Sequence, residues 1–292
     1  MFHPIFILEL SLNILFIGCG DIAQRAANIV ADSHQCFGLR RNPNQLPSYI
    51  TPITANAADT QEMLSITSQG FDIWIVTLTP AEFTKQAYEQ AYLAVAQGIS
   101  ETIAVLPNPP KLIVWVSSTS VYGDRAGDWV DETTEANPVT FSGEILLQAE
   151  QIIEDLPCNT SVVRFSGIYG PGRTRLIDQV LSGKGRPKMP KQWSNRIHAD
   201  DCGGVLAHLI KLYESGKPIE QIYLASDCQP VTQHEIRNWL AEQLSVDLIE
   251  EPVAVGPIRR CSNRLLLQSG FSFRYPSYKE GYAALLVEQK SS

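Results

Sequence analysis

The chain has 292 residues, is 44% hydrophobic and carries a formal net charge of −8. That length and apolar content allow one large domain or two modest ones, and the acidic balance argues against general nucleic-acid binding. No apolar run reaches the length of a membrane span, because the run at 12–17 is closed by glycines and the run at 73–78 by Pro80. The cysteines Cys19, Cys36, Cys158, Cys202, Cys228 and Cys261 form no close pair. Neither a zinc site nor a redox pair is expected, no metal is assigned, and reduced thiols in a cytoplasmic protein are the expectation.

Residues 1–11 read as an extension or a mis-set start, and not as a targeting segment. Phe16-Ile17-Gly18-Cys19 loosely resembles a lipoprotein cleavage site, but residues 1–18 hold no Lys or Arg, so the basic region of a secretory signal is missing.

Leu12–Ile17 has the length and bounds of a buried strand, and Gly18-Cys19-Gly20-Asp21-Ile22-Ala23 breaks it sharply. A helix from Ile22 to about Ala31 and a strand at His34–Leu39 follow. Strand, glycine turn, helix and strand in that order form the context of a dinucleotide-binding fingerprint. Gly18 allows the tight turn, Gly20 lets a diphosphate approach the backbone, and the small Ala23 lets the helix pack close. The first-turn N–H groups, from Asp21 and Ile22 onward, and the positive end of the helix dipole then face the phosphates. A plain structural turn is the alternative.

Arg40 and Arg41 follow the second strand. An acidic residue there would bind a ribose 2′-hydroxyl, whereas arginines suit a 2′-phosphate, so NADP is preferred to NAD, with a solvated strand end as the alternative. Phe71–Thr77 is the next buried strand, Ala81–Leu106 is largely helical in pattern, and Lys111–Ser117 is another strand. Strands alternating with helices imply a doubly wound parallel sheet, with Thr77, Leu78, Thr79 and Ser117 at the strand ends that face its ligand.

Further on, Trp115–Asp124 (WVSSTSVYGD) resembles the strand-end signature of the extended short-chain dehydrogenases/reductases, the superfamily of nucleotide-sugar epimerases and dehydratases. Val163–Arg173 (VRFSGIYGPGR) and Asn195–Asp201 (NRIHADD) resemble two further segments of that family, in the right order. The resemblance spans about 12–230. It implies a Rossmann-type α/β domain from 12–168 and 197–226, a smaller substrate lobe from 169–196 and 227–292, and dimerisation through helices corresponding to 81–106 and 142–156.

By position, the resemblance makes Ser118 the hydroxyl that holds the reacting oxygen. The family's Tyr-x-x-x-Lys pair belongs on the helix after Pro138, which here reads PVTFSGEILLQAEQ. Matching Gly143 and Glu150 to the family puts Ser142 at the tyrosine position and Leu146 at the lysine position; a shift by one gives Phe141 and Ile145. The pair works because an ammonium pulls down a phenol of pKa about 10 until it exchanges a proton near neutrality. Serine is a far weaker acid and leucine brings no charge, so the usual relay is absent, as in the atypical branch of the superfamily. Tyr213–Lys217 and Tyr275–Lys279 repeat the spacing by coincidence, beside Gly216 and Pro218 or across Pro276. Replacement acids are sought in Tyr122, Glu144 and His198, each with a structural alternative.

Between Pro171 and His198 the charge reverses: Arg173, Arg175, Lys184, Arg186, Lys188, Lys191 and Arg196 face only Asp178. Arg173 and Arg196, with Tyr122 and His198, are candidates for recognising an anionic substrate, and a solvated basic loop is the alternative. Asp200 or Asp201 is expected to cap a helix to about Glu214, Gln221–Ala225 is a late strand, Thr232 caps a helix through Leu244, and the alternation over Gly270–Tyr278 reads as a short strand. Two functional readings stay open. One is a hydride-transferring enzyme acting on a small anionic or sugar-derived molecule, with no nucleic-acid or membrane partner. The other is a non-catalytic dinucleotide sensor or scaffold.

Overall fold

The computed structural model of the chain describes residues 11–43, 45–252 and 256–291, with side chains to 288; all of the 1–11 extension but Ser11 therefore lies outside the described residues. Seven strands form one parallel sheet: β1 (Asn13–Ile17), β2 (Gln35–Arg40), β3 (Ile50–Thr54), β4 (Ile73–Val76), β5 (Leu112–Ser118), β6 (Thr160–Phe165) and β7 (Ile222–Ala225). Their spatial order is β7-β6-β5-β4-β1-β2-β3. The chain runs outward from β1 to β3 and then crosses back to β4 on the other side of β1. The switch point of this doubly wound sheet therefore lies between β1 and β4, where such folds bind ligands.

Both faces of the sheet are covered, which is why its central strands read as unbroken apolar runs. Ile14, Phe16, Ile73 and Ile75 point to one face, under α1 (Asp21–Val30) and α7 (Ala199–Glu214). Leu15, Ile17, Trp74 and Val76 point to the other, under α2 (Thr60–Thr67), α4 (Ala94–Val105) and α5 (Phe141–Glu154). Successive residues of one strand thus serve opposite cores. Helices α1 and α7 approach so closely that a Cβ at Gly203 would lie 2.6 Å from Arg25 Cβ.

A separate core forms where Leu176, Ile177 and Val180 of α6 (Arg175–Leu181) meet Ile236 and Leu240 of α8 (Gln233–Leu244) and Tyr282 and Leu285 of the last helix (Tyr278–Ser291). Thr232 and Glu235 form the expected capping box at the start of α8. The helix expected over 81–106 is interrupted: α3 (Lys85–Tyr88) passes into α4 through a π turn at Glu89–Leu93.

Two expectations are corrected. Helix α7 is capped by His198, whose Nδ1 accepts from Asp200 N at 3.1 Å, and not by either aspartate. The Asp201 carboxylate instead accepts from Arg274 N at 2.7 Å and Tyr275 N at 3.0 Å. Those same bonds bear on why Gly270–Tyr278 is not a strand: the Arg274 and Tyr275 amides go to a side chain, and those of Gly270 and Phe271 turn back to Leu267 O and Leu266 O, so none enters a strand ladder. Among the described residues no helix is long and apolar enough to cross a membrane, and no group of three or more His, Cys, Asp or Glu could hold a metal.

Candidate functional site

The glycine turn sits at the switch point. Gly18 has φ +71°, and its N–H donates to Leu39 O at 3.0 Å, tying the turn to the end of β2. Thr77 Oγ1 donates to Gly18 O at 3.0 Å, tying it to the end of β4. A Cβ on Gly18 would lie 2.5 Å from Thr77 O, so both its backbone conformation and its surroundings demand glycine. Gly20 differs: its φ is −85°, and a Cβ there would meet nothing nearer than Gly18 O at 3.7 Å. Its smallness leaves space that no protein atom fills. Gly20 is also the N-cap of α1 and supplies no side-chain cap, so the first-turn amides remain available to an anion.

Over this turn lies a cleft of about 410 Å³. Gly18, Gly20, Arg40, Arg41, Thr77, Leu78 and Thr79, all read from the sequence, line it. Of the other residues read as cofactor-binding, Ile22 and Ala23 are buried and Asp21 is exposed at the first position of α1, outside the lining of the cleft. Ser117 is buried and its Oγ has no hydrogen-bond partner. Arg40 is half-buried, Arg41 is exposed, and neither makes an ion pair among the described residues. The open turn, its free amides and two unpaired guanidinium groups beside the strand end fit a dinucleotide with its diphosphate on α1.

Sequence reasoning missed Ala55, Asn56 and Ala57 beyond β3, and Gln90 and Ala91 of the π turn, all of which line the same cleft. Pro52 obscured β3, but it is tolerated because β3 is the sheet edge and pairs only with β2.

At the end of β5, Ser118 Oγ accepts from Ser120 N at 3.2 Å, leaving its own proton free to donate. Helix α5 packs on this turn at Gly143, where a Cβ would lie 2.8 Å from Pro138 Cβ and 3.0 Å from Ser120 O. At the two positions read as replacing the catalytic pair, Ser142 is buried with Oγ 3.1 Å from Thr140 Oγ1, and Leu146 is buried with Val121, Tyr122, Val130, Leu224 and Cys261.

Two of the three candidate acids and bases, Tyr122 and His198, are buried. Tyr122 is fully buried beneath the Arg164 guanidinium, 4.9 Å from its ring centre, and burial pushes its phenol up to about 12. Burial lowers His198 to about 4, so it is neutral near pH 7; Tyr275 packs on its ring at 4.1 Å. Glu144 is exposed on the first turn of α5. Asp227, just past β7, is 1% exposed with Oδ2 unpartnered, and burial raises it to about 7. No spacing marked it.

The basic stretch does not converge on one point. Arg173 pairs with Asp21 at the start of α1. Arg196 hydrogen-bonds Tyr282 OH at 3.4 Å while its Nε is unpartnered. Arg237 of α8, which sequence reasoning did not single out, is 4% exposed and binds Lys184 O at 2.8 Å and Gln179 Oε1 at 2.6 Å. Burial, with the charges of Arg186 and Arg196, lowers it to about 10. Arg186, Arg196 and Arg237 concentrate positive charge, with no carboxylate ion-paired to any of them among the described residues.

No family model matches the chain. It is similar to Protein YeeZ of Escherichia coli (strain K12), with 30% identity over 200 residues, 64% of this chain and 66% of the relative, so it spans just under two thirds of that relative's length. Among solved structures, a protein of Methylobacillus flagellatus described provisionally as an NAD-dependent epimerase/dehydratase is 32% identical with a TM-score of 0.79, the match covering 96% of this chain and 99% of that one. A Silicibacter pomeroyi protein of unknown function is 24% identical with a TM-score of 0.74, covering 96% and 99%. MoeE5, solved with UDP-glucuronic acid and NAD, is 18% identical with a TM-score of 0.74, covering 93% and 96%; at such identities the likeness shows the fold alone.

Proposed function

Because the chain belongs to the short-chain dehydrogenase/reductase superfamily, among its epimerase/dehydratase-like members that lack Tyr-x-x-x-Lys, we propose that it is an NAD(P)-dependent enzyme acting on a small anionic or sugar-derived substrate. The observation that carries this reading is the open cleft over Gly20, with uncapped amides on one side and Arg40 and Arg41 on the other. Gly18, Gly20 and the amides of Asp21 and Ile22 would hold the diphosphate. Arg40 and Arg41 would take the adenosine ribose and favour the 2′-phosphate of NADP over the free hydroxyl of NAD. Thr77, Leu78, Thr79 and Ser117 would border the rest of the dinucleotide.

When bound, the nicotinamide supplies hydride exchange with a substrate carbon. Ser118 would donate its free hydroxyl proton to the oxygen on that carbon and so orient it. Neither Ser142 nor Leu146 can relay the proton, so solvent or another acid would supply it. Arg196, Arg186 and Arg237 would attract the anionic part of the substrate.

The alternative reading, a dinucleotide sensor without turnover, draws on Leu146, whose apolar packing leaves no group to steady a proton at Ser142. Two measurements separate them. Calorimetric titration with NADPH and NADH is expected to give binding that Arg40→Asp/Arg41→Asp weakens, more for NADPH. A screen of carbonyl and nucleotide-sugar substrates is then expected to give a turnover that Ser118→Ala abolishes; binding without any Ser118-dependent turnover favours the sensor.

A further inference from the structure

Asp21 opens α1 directly after Gly20, whereas Arg173 belongs to the tight turn after Gly167–Tyr169, where its N–H donates to Gly170 O at 2.9 Å and Gly172 has φ +74°. Their side chains are ion-paired. Asp21 shares its other oxygen with Arg25 Nε at 2.9 Å, Arg25 also pairs with Asp200, and Asp200 reaches Arg274 at 3.3 Å. Asp21 can therefore give up Arg173 and still keep a cation.

The Arg173 and Asp21 side chains are 36% and 39% exposed, and a pair so open to water holds weakly. The end of α1 that carries Asp21 also presents the uncapped amides described above. A diphosphate arriving there would bring negative charge beside the Asp21 carboxylate. It would also offer the planar guanidinium of Arg173 two phosphoryl oxygens to bind bidentately, a stronger acceptor than a shared carboxylate.

We propose that Arg173 is a dinucleotide-binding residue lent by the substrate lobe: paired here with Asp21, it exchanges that carboxylate for the diphosphate when a dinucleotide binds. The 170–174 loop is thereby tied to cofactor binding, and the substrate lobe is set only around a loaded glycine turn. This rests on the dinucleotide reading above.

The test is calorimetric titration of the full chain with NADPH and with adenosine 2′-monophosphate, which has no diphosphate, on wild type, Arg173→Ala and Asp21→Asn, with unfolding midpoints recorded to show that each is folded. Arg173→Ala is expected to weaken NADPH about tenfold, as loss of a charge-assisted bond does, while leaving the monophosphate unchanged. Asp21→Asn is expected to tighten NADPH severalfold, because it removes both the competitor and the repulsion. In wild type, tryptic cleavage after Arg173 is expected to slow when NADPH is added. NADPH binding that is unaltered in Arg173→Ala, or weakened equally for both ligands, overturns the proposal while leaving the dinucleotide reading intact. So does weaker NADPH binding by Asp21→Asn, or cleavage indifferent to NADPH. A wild type that binds neither NADPH nor NADH at millimolar concentration refutes that reading, and this proposal with it.

Discussion

The Gly18 carbonyl accepts the Thr77 hydroxyl at 3.0 Å, and the space between the two residues is closed to a single added carbon. Gly18 and Gly20 share one motif and yet fill different needs. Gly18→Ala forces a left-handed backbone on a side chain that also strikes Thr77 O, and is expected to cost about 2 kcal/mol or more of stability. Gly20→Ala adds a methyl to open space at an ordinary φ and is expected to leave the unfolding midpoint within about a degree of wild type, since such changes cost little. It should nevertheless weaken NADPH binding, because that methyl occupies the cleft. Differential scanning fluorimetry with and without NADPH separates the two; equal destabilisation would show that both glycines serve only the turn.

Arg164 and Glu150 are both nearly inaccessible and joined by bonds of 2.6 and 3.2 Å, linking β6 to α5. Removing one partner leaves a buried charge without compensation. Glu150→Ala is expected to cost about 3–5 kcal/mol, read from urea unfolding, and Arg164→Met/Glu150→Leu together much less. A double variant no more stable than Glu150→Ala would place the cost in packing and not in charge.

Where one signal dominated, the sequence was legible. Leu12–Ile17 and Lys111–Ser117 are apolar runs ended by a glycine or by hydroxyl residues, and the structure places strands there within a residue, at Asn13–Ile17 and Leu112–Ser118. Ile50–Thr54 was not legible, because Pro52 and three partly exposed residues hide an edge strand. The alternation at Gly270–Tyr278 misled because period two describes which side chains are buried, while strand identity depends on a backbone partner; Asp201 took the Arg274 and Tyr275 amides instead. Half the cleft was legible in Gly18, Gly20, Arg40, Arg41 and Thr77–Thr79. The half built by Asn56 and Gln90 depended on where an unpredicted strand and a π turn ended. Which candidate acid is withdrawn from solvent is a property of packing: nothing in the sequence distinguishes a buried Tyr122 from a reachable one.

Two groups give stability opposite slopes with pH. Asp227 is raised by burial to about 7, opposed by Arg196 and helped by Asp201 and Glu280, so the folded state holds a proton that the unfolded chain has lost. Its contribution falls as pH rises from about 4 to 7 and stays low above that. Asp227→Asn is expected to raise the unfolding midpoint at pH 8 by several degrees relative to wild type, with little gain at pH 4.

His198 runs the other way. Its folded value near 4 lies below the unfolded value near 6.5, so its contribution is complete above pH 6.5 and is lost as pH falls toward 4. His198→Asn keeps an N-cap for α7 and removes the titration. Its midpoint should change less between pH 6.5 and 4.5 than that of wild type. A parallel fall in both proteins would assign the acid loss to other groups.

Leu146 stands where the resemblance puts a lysine, and its surroundings are apolar. Val121, Val130, Leu224, Cys261 and the ring of Tyr122 enclose it, and it is 3% exposed. Nearby, Arg164 already holds one buried positive charge against Glu150, so an ammonium at 146 would find that carboxylate taken. Desolvation would push such a lysine toward its neutral form, and either form costs stability. Leu146→Lys is expected to lower stability by about 3 kcal/mol or more, as burial of an unpaired charge does, and Ser142→Tyr/Leu146→Lys should not recover it. Urea unfolding of the single and double variants checks this. A Leu146→Lys chain as stable as wild type would mean that the α5 face opens toward the Ser118 turn, and that a proton relay could be rebuilt there.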